Sequence, residues 1–295
     1  MPKVKIISDS TCDLPQEILD RYDIAVTPLY IFSKSGENEQ EFRDKINIFP
    51  KDLFRMAEEE KKSCRTAAVN IFDYEEVFTK FSDKYDAVIQ ICIGSGFSTC
   101  YQNAAIAAED FDNVHVIDSH NLTTGQGYLV HEAGIMAKAG KSAEEIISEL
   151  NRISPCMNTS FVIDTLDYLH KGGRCSLAKL IASKLLNLKP VIEVHDNAMR
   201  VGAKYTGKFA PTVEKYITER LEPLAKADNI DLSRIYITVS TCPTEVIEFA
   251  RETIKKYAGF TDENIIITYA GCTVANHCGP NTLGIIFKQK SEIQI

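Results

Sequence analysis

No P-loop, no GxGxxG fingerprint and no CxxC pair occurs in this chain. The first two absences remove the commonest nucleotide-binding motifs, and the third removes the usual zinc and redox spacings. No apolar run approaches the length of a membrane span. The opening segment, MPKVKIISDS, lacks the apolar core and cleavage site of a signal peptide and reads as a first strand. Positive charge is short as well. Lys and Arg total 33 against 41 Asp and Glu, for a net charge of −8, which argues against nucleic acid or an anionic membrane as the main partner. A local basic patch would still leave room for transient membrane contact. The nine cysteines are odd in number and scattered, so no disulfide framework is expected. A reduced, cytoplasmic compartment fits them best, with most thiols acting as small packing residues.

What is present is an ordinary globular composition, 44% hydrophobic and 25% charged, over 295 residues. That length accommodates two domains. Residues 3–8 read as a strand, 24–32 as a second apolar run, and 33–48 as a polar excursion. Helices are expected over 50–62, 72–84, 123–138 and 143–153, with strands over 86–93 and 114–117. Such alternation predicts an α/β domain over 1–155, with a mostly parallel sheet flanked by helices. The pattern breaks at Ser154-Pro155. Over 156–295 the chain predicts a second α/β domain with a mixed sheet. Its strands are 159–163, 235–240, 265–269 and 283–288, plus a hairpin of 190–195 and 199–203 turning at Asp196-Asn197. Its helices are 165–171, 177–186, 210–226 and 244–257.

The stretch from Asp86 to Glu109 carries the most chemistry: DAVIQICI, then GSGFSTC, then YQNAAIAAE. A continuous apolar run marks a strand buried on both faces, and the Ala-rich segment favours helix. A turn at the carboxyl end of a strand and the amino end of a helix is an anion site, through free N–H groups and the helix dipole. Ser95, Ser98 and Thr99 add hydroxyls without charge. A small anionic head group, carboxylate or phosphate, is one reading; a hydroxyl-rich helix cap bonding only to its own helix is the other. Similar small polar turns occur at Asp9–Pro15, at Thr66-Ala67-Ala68 and at Asp118-Ser119. A fifth, over 275–280, contains His277. Asp9 and Asp13 lack the companion histidine or third acid that a metal would want, so Asp13 is read as a turn stabiliser and no metal is expected. Cys278 beside His277 invites a thiol nucleophile, but adjacent side chains in an extended segment point to opposite faces.

Taken with Lys171-Gly172-Gly173-Arg174, these turns resemble the DegV family, which includes the fatty-acid-binding subunits of bacterial fatty acid kinase. The resemblance spans essentially the whole chain. It rests on Asp9-Ser10-Thr11 with Asp13-Leu14-Pro15, on Ser95 to Ala104, on Leu166-Asp167-Tyr168-Leu169 with the KGGR turn, and on His277-Cys278-Gly279-Pro280 with Gly284 and Phe287. It implies two α/β domains with a long-chain fatty acid between them, its tail in an apolar tunnel and no cofactor. Thr66, Ser95 and His277 would be the head-group contacts, with Ser98 in the same turn. No residue of this chain would be catalytic: a partner kinase would phosphorylate the presented carboxylate, and Arg174 would serve the encounter with it. Two departures bear on the ligand. Similar proteins read approximately TSQP where this chain has Thr66-Ala67-Ala68-Val69, and Gly-Thr where it has Thr99-Cys100. Both remove polar donors or add bulk beside the head group.

Two other functions compete. A small-molecule enzyme would use His277 as nucleophile or base, by analogy with the substrate-binding subunits of dihydroxyacetone kinases, a fold-level warrant only. A regulatory lipid sensor would share the binding site and differ in its partner.

Overall fold

The computed structural model describes residues 2–174 and 187–293, and these divide into two compact units. The first comprises Met1–Pro155 with Gly271–Thr273, and the second Cys156–Ala270 with Val274–Ile295. The helix expected over 177–186 lies outside the described residues.

The first unit runs β1 (Val4–Asp9), α1 (Gln16–Arg21), β2 (Ala25–Thr27), β3 (Tyr30–Ser35), β4 (Asn38–Arg43), α2 (Pro50–Glu58) and β5 (Ser63–Ala67). It continues α3 (Ile71–Ser82), β6 (Ala87–Cys92), α4 (Cys100–Ala108), β7 (Val114–Asp118), α5 (Thr124–Lys138) and α6 (Ala143–Ile153). Strands β2, β1, β6 and β7 form a parallel sheet in that order. Every residue of β1 and β6 is buried, the polar Lys5, Ser8, Asp9 and Gln90 included, as befits central strands covered on both faces. Because all four strands point the same way, Asp9, Ile93–Ser95 and Asp118 share one edge, where ligands of such sheets gather.

A second sheet, β4-β3-β5, is antiparallel and falls where a polar excursion was expected. The apolar run over 24–32 is split between β2 and β3, and β4 is a mostly exposed strand of charged and amide residues. Such a strand has no apolar alternation to betray it.

The second unit runs β8 (Met157–Ile163), α7 (Asp167–Gly172), β9 (Leu188–His195), β10 (Ala198–Thr206), α8 (Phe209–Lys226), β11 (Ile230–Ser240), α9 (Thr244–Ala258) and β12 (Ile265–Tyr269). It ends with α10 (Cys272–Cys278), whose first two residues count with the first unit, and β13 (Thr282–Gln289). Its six strands form one mixed sheet, β10-β9-β8-β13-β11-β12, with β11 and β12 parallel and the other pairs antiparallel. Asp196 and Asn197 both have positive φ, 43° and 59°, as a type I′ hairpin turn requires. Helices α8 and α9 pack Val213, Ile217, Leu221, Ile247 and Ile254 into a core with Ile235, Ile237 and Ile285. Tyr216 reaches into it and donates its hydroxyl to the Ser160 carbonyl at 2.7 Å, while accepting the Ile285 N–H. The α/β class with one parallel and one mixed sheet is therefore as the sequence implied.

Candidate functional site

At the sheet edge of the first unit, Asp9 gathers two donors from other segments, the Ile93 N–H at 2.7 Å and the Gln126 amide at 3.1 Å, and from its own turn the Thr11 N–H at 3.2 Å. The Thr11 hydroxyl adds a fourth. Burial pushes the Asp9 carboxyl above its usual range despite these donors. Gln126 also donates to the Ser8 hydroxyl and the Ile91 carbonyl, so one side chain of α5 joins the ends of β1 and β6. Thr123, a β-branched residue at φ 48°, precedes α5 and donates its hydroxyl to Asp13 at 2.7 Å. Such a strained backbone persists where its surroundings over-determine it.

The turn after β6 is less open than its sequence suggested. The Ser95 N–H donates to Asp118 Oδ1 at 3.2 Å, Gly94 N–H to the Asn121 carbonyl, and Phe97 N–H back to Gly94. Cys100 N–H, at the first turn of α4, goes to the Ser98 hydroxyl at 3.3 Å. Four amides of this turn are thus engaged internally, one of them by a carboxylate of the protein itself. Ser98 stands one residue before the N-cap, Thr99, which itself makes no side-chain cap bond. The Ser95 hydroxyl is different: it is half-buried and bonds to no protein group among the described residues.

Thr66 lies on β5 opposite Ile31, half-buried. The chain from Thr66 to Val69 meets α4, where Asn103 donates to the Val69 carbonyl at 2.7 Å. Val69 and Cys100, the residues at the two departures, are both fully buried. Burial raises the Cys100 thiol to about 12, so it is a packing group and not a nucleophile. The Thr66 and Ser95 segments therefore converge on one helix end in the first unit.

In the second unit the two motifs carrying the other candidates come together. Tyr168 and Gly172 stand four apart on α7, on one face, and that face packs along the end of α10. A Cβ on Gly172 would lie 2.1 Å from His277 Nδ1, and one on Gly279 would lie 2.5 Å from the Tyr168 ring. Arg174 is exposed and donates to the Gly172 carbonyl at 2.8 Å. His277 sits in the last turn of a helix, not in the extended turn the sequence suggested, so the alternating-face argument about Cys278 does not apply. Cys278 is instead simply buried.

Burial, and secondarily the Arg174 cation, lower His277 to about 4. The imidazole is neutral at pH 7. Its folded pKa lies below the ordinary 6.5, so the unfolded chain takes up this proton first. His277 thus contributes stability that is fully present above pH 6.5 and lost as pH falls toward 4. The loss should reach about 3 kcal/mol. Thermal melts of the wild type and His277→Asn across pH 4–6.5 test this: the variant should lose less stability, and parallel curves would refute it.

The residues that sequence reasoning missed are Asp44, buried, and Lys45, half-buried, both in the polar excursion. Lys45 bridges to Asp13 at 2.7 Å. Burial opposes the Lys45 charge, yet Asp13 holds its pKa above the usual range. Asp13 accepts the Gly271 N–H, and Asp44 accepts the N–H groups of Cys272 and Thr273. Asp and Lys in a charged, turn-rich stretch carry no local signal of burial. Among the described residues no cluster of His, Cys, Asp and Glu could hold a metal.

These features define an α/β protein whose candidate ligand groups are uncharged: hydroxyls and a neutral imidazole. The chain belongs to the DegV family, whose model, described as "Uncharacterised protein, DegV family", matches residues 3–290. A DegV domain-containing protein of Caldanaerobacter subterraneus subsp. tengcongensis is 31% identical over 293 residues, covering 98% of this chain and 100% of the relative. Among solved structures, a DegV family protein from Thermus thermophilus described by its fatty acid binding superposes with a TM-score of 0.84 at 27% identity, covering 98% of this chain and 100% of that one. A stearic acid-binding protein from Eubacterium ventriosum gives 0.81 at 28% identity, covering 98% and 99%.

Proposed function

We propose that this protein is a non-catalytic carrier of a long-chain fatty acid, which presents the carboxylate to a partner kinase for acyl-phosphate formation. The observation that carries the reading is the full-length match to structures described by their fatty acid binding. Thr66, Ser95, Ser98 and His277 are the proposed head-group ligands, and Arg174 the kinase contact. The eight cysteines among the described residues are free thiols, in keeping with a cytoplasmic setting. Among the described residues no helix is long and apolar enough to cross a membrane.

Magnitudes support this division of labour. About 14 methylenes at roughly 0.8 kcal/mol each supply on the order of 11 kcal/mol before costs. A charge-assisted hydrogen bond at the head supplies roughly 1.5–3 kcal/mol. The tail holds the ligand, and hydroxyls with a neutral imidazole orient the carboxylate without a strong ion pair to hinder phosphoryl transfer.

Native mass spectrometry of the purified protein, followed by solvent extraction, tests the ligand. One bound mass matching a fatty acid is expected; a protein that stays empty after incubation with a fatty-acid mixture refutes the reading. Ser95→Ala and His277→Ala should each weaken binding about ten- to a hundredfold without abolishing it. Arg174→Ala should retain the lipid and lose acyl-phosphate formation with the kinase. An empty Arg174→Ala protein would move that residue from the partner surface to the ligand.

A further inference from the structure

A second buried carboxylate, as fully engaged as Asp9, is not one of the head-group candidates. Asp44 is 1% exposed and accepts four hydrogen bonds. Cys272 N–H reaches Oδ1 at 2.7 Å, while Oδ2 takes the Thr273 hydroxyl at 2.7 Å, the Ser10 hydroxyl at 3.1 Å and the Thr273 N–H at 3.2 Å. Cys272 and Thr273 are the first residues of α10, whose amides no earlier turn can satisfy. A carboxylate there meets both the unpaired N–H groups and the positive end of the helix. Gly271 makes the approach feasible, since a Cβ on it would lie 2.9 Å from both Asp44 oxygens and 2.7 Å from Lys45 Cε. Asp44 is itself fixed from behind: its N–H donates to the Leu29 carbonyl, and the Leu29 N–H donates to the Ser10 hydroxyl.

Helix α10 has seven residues. A helix so short has little stability of its own, so its first turn exists by virtue of what holds it. Its last turn presents His277, five residues after Cys272 and about 7.5 Å further along the axis.

We infer that Asp44 is a positioning residue for His277: by clamping the first turn of α10 it fixes where the last turn delivers the imidazole. This rests on the proposed role of His277 as a head-group ligand. Asp44 itself touches no ligand. The sequence gives a reason for the arrangement, because Gly271 and Gly279-Pro280 leave the helix short and bounded on both sides. The clamp supplies the order that length does not.

The test compares wild type with Asp44→Asn, which keeps the shape but replaces one acceptor oxygen by a donor amide. Thr273→Val is the milder second variant, removing a single bond to the same carboxylate. In ligand-free protein, the His277 ring resonances are followed by NMR through a pH titration. Asp44→Asn should move the midpoint upward from about 4 toward the ordinary 6.5 as the imidazole loses its packing. Thr273→Val should move it less, in the same direction. Affinity for a long-chain fatty acid such as stearate should fall at least tenfold in Asp44→Asn and two- to fivefold in Thr273→Val. In a His277→Ala background, Asp44→Asn should add less than a twofold further loss, because the residue through which it acts is gone. An unmoved His277 midpoint in a folded variant, or losses that simply multiply in the double variant, would overturn the inference. Should Asp44→Asn fail to fold, Thr273→Val decides by the same readouts. Wild type that binds no fatty acid would sink the carrier reading alone, since the His277 titration needs no lipid.

Discussion

Gly127→Ala should lower the stability of the first unit by about 3 kcal/mol or more, at the upper end of what overpacking costs. Gly127 lies in the second turn of α5, and a Cβ there would stand 2.2 Å from the Cys12 carbonyl oxygen and 3.3 Å from Leu14 Cδ2. The first of these is backbone, and it has nowhere to go. Asp9 and Asp13 flank that turn, and both are tied into buried hydrogen bonds; Thr11 between them donates to Gln126 at 2.8 Å. In an open helix the same change would stabilise, because alanine is favoured over glycine by about 1 kcal/mol. The sign therefore discriminates. A thermal melt should show the transition about 10 °C lower; a rise would mean that α5 does not press on the turn as described.

Gly172→Ala should act on the site instead. The new methyl would fall 2.1 Å from His277 Nδ1, and an imidazole can swing aside more cheaply than a backbone can retreat. The expected outcome is a modest stability change with a ten- to a hundredfold loss of fatty-acid affinity, matching His277→Ala within a factor of a few. Its neighbour supplies the control. Gly173 has φ +67° and nothing within 4 Å of a would-be Cβ, so Gly173→Ala incurs only the backbone penalty of a left-handed alanine, about 1 kcal/mol. Affinity should be unchanged there. Ligand titrations on the two variants separate these cases, and equal losses in both would dismiss the packing argument.

The parallel sheet was legible because β6 is buried on both faces and advertises it in a nearly continuous apolar run, with strand-like and helical segments alternating around it. Hairpin β9–β10 was legible from Asp196-Asn197, two residues that tolerate the positive φ such a turn demands. The β4-β3-β5 sheet was not, since β4 exposes its charged side chains and its partner strand β5 carries only Ser, Cys, Arg, Thr and Ala. Helix α10 hid for another reason: seven residues between two glycine breaks read as a turn. Of the candidate groups, Ser95 and Ser98 could be placed in one turn from sequence, yet not that the Ser98 hydroxyl accepts the Cys100 N–H while the Ser95 hydroxyl bonds to no protein group among the described residues. The pairing of Gly172 with His277 joins residues more than a hundred positions apart, and the bonds from Asp44 to Cys272 and Thr273 span more than two hundred. Neither contact leaves a periodicity. What local pattern does show is that both segments are glycine-punctuated, which marks a close approach without naming the partner.

Gly271–Thr273 has a consequence for how the chain is made. A ribosome adds about 5–20 residues per second, and domains generally fold as their sequence emerges. On completion of Pro155 the first unit still lacks Gly271–Thr273. Until Gly271, Cys272 and Thr273 leave the exit tunnel, on the order of ten seconds later, Asp13 and Asp44 lack the amides they accept in the finished molecule. Through that interval a carboxylate pair destined for the interior must stay hydrated, with Lys45 its nearest counter-charge. The first unit therefore gains its last three residues only when nearly the whole of the second has been synthesised.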